Sequence, residues 1–247
     1  IHHLIRQIVL SSTYRKDSSR RPDIDDPENR LLARGPSFRL PAETIRDQAL
    51  AVSGLLTRRV GGPSVKPYQP EGVWEDLNAP KSHAEVYQQA SGPELYRKSM
   101  YTYWRRAAMH PTMAVFDAPN RDVCSVERPT TNTPLQALAL MHGPTFVEAS
   151  RKLAERVLGH GPGDTEAHVR LAVEITLNRT PTGKETEILS GIFSDRLTEY
   201  QKNPAAAERL LAIGESQVDP AMPREQLAAL ADTCLVILNL SETVTRK

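Results

Sequence analysis

The sequence predicts an all-α fold: an irregular multi-helix bundle with two long ordered loops on one side. Three observations lead there. From Pro134 onward apolar residues recur three and four positions apart, and hardly any segment alternates with the period of two that a strand requires. Many of the 19 prolines stand where such a segment begins, the position at which proline loses no hydrogen bond. Two stretches, at about residues 57–92 and 109–132, are rich in special residues, show neither period and are too long for simple connectors.

Taken in order, the chain opens on IHHLIRQIVLSSTYR, with Leu4, Ile5, Ile8 and Val9 in an amphipathic register that predicts a helix ending near Ser11. RKDSSRRPDIDDPENR is polar and turn-rich and reads as an exposed loop. LPAETIRDQALAVSGLL places Ile45, Ala49, Val52 and Leu56 on one helix face, with Gly61-Gly62 as its stop. PELYRKSMYTYWRRAAM reads as a further helix, with Tyr96, Met100, Tyr103 and Ala107 on one side and its arginine heads in water. Regular helices then follow at PLQALALM, TFVEASRKLAERVL, TEAHVRLAVEITL, KETEILSGIFSDRLTEYQ, PAAAERLLAIG and PREQLAALADTCLVILNL. The expected organisation is one α-helical domain over 1–247, loop-rich in 1–132 and regular in 133–247. The start within an amphipathic register, with no initiator Met, suggests a C-terminal piece of a longer protein.

Composition narrows the function classes. Hydrophobic residues make up 39% and charged ones 25%, which allows a buried core. Lys plus Arg number 31 against 30 for Asp plus Glu, so a net charge of +1 gives no global pull toward nucleic acid or anionic membrane. Basic and aromatic residues interleave in YRKSMYTYWRR, as in single-strand binders, but near neutrality favours an ordinary solvated helix face. No apolar run approaches the roughly 20 residues of a bilayer span. Neither Cys124 nor Cys234 stands in a CxxC or CxxCH, so no zinc ribbon and no haem attachment is encoded in this segment. Cys234 is in step with Leu227, Leu230 and Leu238 and reads as a buried thiol, whereas Cys124 lies in a polar loop; the two are expected to be unjoined. His2 and His3 are adjacent, and His83, His110, His142, His160 and His168 have no ligand spacing, so no metal site is predicted.

The most informative stretch is CSVERPTTNTPLQALALM. Thr133, Pro134 and Gln136 have the grammar of a capping box, and Thr182 with Glu185 repeats it in RTPTGKE. Asp117, Arg121, Asp122, Glu127 and Arg128 crowd the loop that feeds the first of these helix starts, where amides and dipole favour anions. Two readings follow: a salt-bridged loop, or an anion or carbohydrate site built by Arg121, Arg128 and the helix start. A catalytic arrangement, with Asp117 as base and Cys124 as nucleophile, is the third possibility, and no histidine stands at a legible dyad spacing. On the Pro-stiffened loop VKPYQPEGVW, Lys66, Tyr68, Gln69 and Trp74 suit a sugar or peptide face, or else anchor the loop by packing.

The strings ENRLLARGPSFRLPAETIRDQAL, GGPSVKPYQPEGVWE, LYRKSMYTYWRR, FDAPNRDVCSVERPTTNTPLQALALM and PTFVEASRKLAERVL occur in one order. In that order the chain resembles the C-terminal domain of unknown function of planctomycete-type cytochrome c proteins, over most of its length. The resemblance implies an extracytoplasmic setting, a c-type haem in another domain, and other domains of the same polypeptide as partners. It supplies no reaction. Glu127 and Thr130 stand in a loop where the family is commonly richer in Arg, and His142-Gly143 where it commonly has Asn-Asp. Arg121 and Arg128 are the residues carried over, with Asp117, Cys124, Asn132 and Gln136 as motif members. The functional expectation is an accessory module that docks partner domains or binds polysaccharide. The competing class is an enzyme, a glycan-active hydrolase or a haem-coupled oxidoreductase, with its site around Asp117, Arg121, Cys124 and Arg128.

Overall fold

The computed structural model describes residues 1–74, 87–105, 108–121, 123–161 and 163–246. Among them the fold is mainly helical: α1 (His2–Leu10), α2 (Ala42–Ser53), α3 (Pro111–Val115), α4 (Pro134–His142), α5 (Pro144–Leu158), α6 (Thr165–Leu177), α7 (Gly183–Lys202), α8 (Pro204–Leu211), α9 (Arg224–Leu238) and α10 (Ser241–Val244). A two-stranded antiparallel ribbon, β1 (Phe38–Arg39) with β2 (Thr245–Arg246), joins the two ends of the fold.

Helix α9 is the axis of the regular half. Its sequence is apolar almost all round, and Leu227, Leu230, Cys234 and Ile237 have no exposed surface, as expected of a helix enclosed by others. Leu153 and Val157 of α5, Val169 and Val173 of α6, Leu189 and Phe193 of α7 and Leu211 of α8 close around it. A second cluster lies on the other side of α5, where Ile45 and Ala49 of α2, Met113, Phe116, Leu140 and Phe146 meet. The long irregular stretches lie on this second side, and Leu95, Tyr96 and Tyr68 pack on Leu50 of α2. Helix α1 keeps its amphipathic pattern and buries none of its residues.

Three expectations are corrected. Helix α2 stops at Gly54, in the left-handed region at φ 82°, well before Gly61-Gly62. Residues 111–115 form α3 inside the stretch expected to be loop, because Pro111 opens a turn that buries Met113. The segment from Pro93 to Arg105 is not a helix but two 3₁₀ turns, Gly92–Glu94 and Ser99–Tyr101. Its backbone is engaged elsewhere: the Thr57 amide donates to the Tyr96 carbonyl at 2.9 Å, the Val65 amide to Tyr101 at 2.8 Å and the Tyr103 amide to Val65 at 2.7 Å. Arg97, expected in water, has no exposed surface; its guanidinium donates to the Pro63, Arg59 and Gly61 carbonyls and lies 3.8 Å from the Tyr101 ring centre. Ala107, expected on the face of that helix, lies outside the described residues, as do Asp122, His83 and residues 75–86 of the first long loop. Both cysteines are free thiols, Cys234 buried and Cys124 exposed.

Candidate functional site

The helix start at Thr133 forms as its residues dictate. Pro134 occupies the first helical position and Gln136 the third, and the Thr133 amide donates to Gln136 Oε1 at 3.0 Å. The forward half is looser. The Thr133 hydroxyl faces the Gln136 amide without closing a cap bond of its own, and that amide reaches the Thr133 carbonyl at 3.1 Å. Gln136 is buried and does more than cap. Its amide nitrogen donates to the Val115 carbonyl at 2.9 Å and to Thr131 Oγ1 at 3.0 Å. Asp117, in the left-handed region at φ 61°, accepts the Thr131 amide at 2.7 Å and the Thr131 hydroxyl at 2.9 Å. One knot of neutral and acidic groups therefore pins the loop onto the start of α4.

The two arginines expected at this end go elsewhere. Arg128 pairs with Glu43 of α2 at 3.0 Å. Arg121, also left-handed at φ 64°, lies 4.3 Å from the Trp104 ring centre. The cation at the start of α4 is instead Arg39 of β1, whose Nη1 donates to the Thr131 carbonyl and to Gln136 Oε1. Burial lowers its pKa and a longer-range interaction with Asp117 opposes that shift. Its position is held from beneath by the Phe116 ring, 5.2 Å from the guanidinium carbon.

Arg39 lines a cleft of about 440 Å³ between the ribbon, the start of α4 and the turn after α9. That size lies within the roughly 300–1,000 Å³ of ligand sites. Thr130, Asn132 and Thr133 stand on one wall, with Asn239, Ser241 and Thr245 on another. Ala137, Leu140 and Val244 supply apolar surface. Of the predicted residues, Asn132 and the cap members Thr133 and Gln136 are at this cleft. Arg39, Asn239 and Thr245 were not foreseen. Their only sequence signal is a polar cluster just past the end of α9, and contacts across 92 and 97 residues of chain leave no local pattern.

The other predicted group is internal. Trp74 is 5% exposed and stacks with Tyr87 and Tyr103 at 5.0 and 5.7 Å, and Lys66 Nζ lies 5.4 Å over it. This is a packing anchor and not a presented sugar face. Tyr68 donates to Oε2 of Glu148 at 2.9 Å, and Tyr96 to Oε1 at 2.7 Å. Glu148 is fully buried on α5 and also accepts the Ser216 amide at 2.7 Å. Every donor here ties an irregular segment to α5. Close by, the His110 ring meets the Tyr68 carbonyl at 2.8 Å; a carbonyl only accepts, so Nε2 carries the proton, and buried Nδ1 has no partner among the described residues. Arg46, fully buried, donates to the Arg97 and Leu95 carbonyls at 2.9 and 2.8 Å, and burial lowers its pKa to about 10.

Asp117, Arg121 and Arg128 thus engage three different partners, Thr131, Trp104 and Glu43, and Cys124 is exposed. Among the described residues no group of three or more His, Cys, Asp or Glu is placed to hold a metal ion, and no helix is long and apolar enough to cross a membrane.

Fold and cleft together define a helical domain with a polar, ligand-sized groove beside the start of α4. The family model described as PSD1, protein of unknown function (DUF1553), matches residues 1–193, and the chain belongs to that family. No curated protein and no solved structure matches the chain. The matched region ends within α7, whereas the core continues through α9.

Proposed function

We propose that the domain is a non-catalytic binding module of a larger exported protein, and that the cleft beside α4 holds a polysaccharide chain. One observation carries this reading. Ser37, Thr130, Asn132, Asn239, Ser241 and Thr245 line the cleft, and among the described residues none of their side chains hydrogen-bonds to the protein. Unpartnered hydroxyls and amides above apolar surface match a sugar, which offers vicinal hydroxyls at its edge and CH groups on its face. The separate engagement of Asp117, Arg121 and Arg128 supports binding over a hydrolase or an oxidoreductase. A glycosidase needs two carboxylates roughly 5–9.5 Å apart across its substrate, and Asp117 is engaged by Thr131. The resemblance to planctomycete-type cytochrome c proteins supports an extracytoplasmic setting, with haem and partner domains elsewhere in the polypeptide.

Native gels cast with soluble polysaccharides test the reading. The domain is expected to be retarded by at least one of them, and Asn132→Ala with Asn239→Ala should abolish the retardation without lowering the melting temperature. A domain that no polysaccharide retards, or a double variant that is retarded as before, contradicts it.

A further inference from the structure

We infer that the saccharide is acidic, and that one of its carboxylates is held against the Arg39 guanidinium; this rests on the saccharide reading of the cleft and narrows it. Among the described residues lining the cleft, Arg39 is the single charged one, and no Asp or Glu stands in the lining. The guanidinium is half engaged. Nη1 donates to the Thr131 carbonyl and Gln136 Oε1, and among the described residues Nη2 has no acceptor and buried Nε no partner.

Its two acceptors are neutral. They satisfy donors without balancing the charge, and Asp117 acts on the guanidinium only from beyond ion-pair distance, so a partly desolvated cation is left without a direct counter-ion. The Asp117 carboxylate is turned to the Thr131 amide and hydroxyl rather than to the guanidinium. No carboxylate among the described residues forms an ion pair with Arg39. The positive end of α4 opens on the same cleft and adds to its preference for an anion. The position of the cation is fixed before any ligand arrives, by Phe116 beneath and Gln136 beside it, so little side-chain entropy is lost on binding. A sugar carboxylate is planar and accepts guanidinium N–H bonds in its own plane. The unpartnered Asn132, Asn239 and Thr245 side chains are left for the ring hydroxyls.

Calorimetric titration with matched pairs of oligosaccharides tests this. Oligomers of galacturonic, mannuronic and glucuronic acid are each compared with their methyl esters, which keep the ring and erase the charge. At least one free acid is expected to bind about tenfold tighter than its ester, the difference one charge-assisted contact makes. Added salt should shrink that gap while leaving ester binding unchanged. Arg39→Gln should close the gap and Arg39→Lys retain part of it. The salt series on the wild-type domain decides the matter even if both variants fail to fold. Acids and esters of all three sugars binding alike, or esters binding tighter, would overturn the acidic ligand and leave the saccharide cleft standing. No binding of any acid, ester or neutral glycan would overturn both.

Discussion

Glu148 shows most directly how single residues hold this fold. A fully buried carboxylate accepts two tyrosine hydroxyls and one backbone amide, so its removal deprives three donors of their acceptor, the Tyr96 hydroxyl in the interior and the Tyr68 hydroxyl and Ser216 amide at its edge. Glu148→Ala is expected to cost roughly 3–5 kcal/mol in urea unfolding. Gly214→Ala should act on the same point, because its new Cβ would lie 2.3 Å from Glu148 Cδ on a backbone at φ +95°. If both variants melted like wild type, the network would not be what secures the irregular segments. His110 gives a pH dependence. Burial first, and the Arg46 charge second, hold its pKa down to about 4, against the opposing bond to the Tyr68 carbonyl. The unfolded imidazole titrates near ~6.5, so between those values only the unfolded chain takes the proton. This contribution is fully present above about 6.5 and is lost as pH falls toward 4, roughly 3 kcal/mol in all. Unfolding measured from pH 8 to pH 4.5 should show that slope, and His110→Gln should flatten it. None of these partnerships was legible in the sequence. Arg97 sits in a pattern that reads as a solvated helix face, nothing in the sequence marks Glu148, and only the folded chain shows what they meet.

Individual elements were legible where local chemistry decides them. The two capping boxes carry the same signature but different weights. At Thr182 the box closes in both directions, with Glu185 Oε2 accepting the Thr182 amide at 2.7 Å and Thr182 Oγ1 accepting the Glu185 amide at 3.2 Å. Thr182→Ala is therefore expected to cost about 1 kcal/mol, an ordinary cap. Gln136→Ala should cost roughly twice to three times as much, because Gln136 also serves the Val115 carbonyl and Arg39. Equal losses in thermal melts would mean that the second set of contacts is idle. Helical spacing failed where a distant partner claimed the backbone. The stretch from Pro93 to Arg105 has helix-like apolar spacing, yet its amides and carbonyls pair with residues 57–65. The same effect hid the cleft: its walls come from β1, the loop before α4 and the turn after α9, and nothing local links them.

For the whole molecule, the division into a regular helical half and a loop-rich half follows from where periodicity holds. Both halves share α5, which packs on α9 with one face and on α2 with the other. Thiol chemistry checks this placement. An alkylating reagent should label one cysteine, Cys124, in the native chain and a second, Cys234, only after denaturation, since Cys234 lies fully buried on α9 and burial raises its pKa. Rapid labelling of both in the native state would mean that the α9 core is open. The candidate site was legible only in part. Its cap and Asn132 were predicted; its cation and far wall were not, because those depend on the ribbon that brings residues 38–39 to residues 245–246. Whether this cleft receives a saccharide is decided by backbone amide NMR of the labelled domain titrated with the tightest-binding oligosaccharide. Shift changes are expected at Arg39, Thr130 to Thr133 and Asn239 to Thr245, with the Lys66–Tyr68 and Cys124 regions unmoved. Changes centred on those latter regions, or none at saturating ligand, would contradict it.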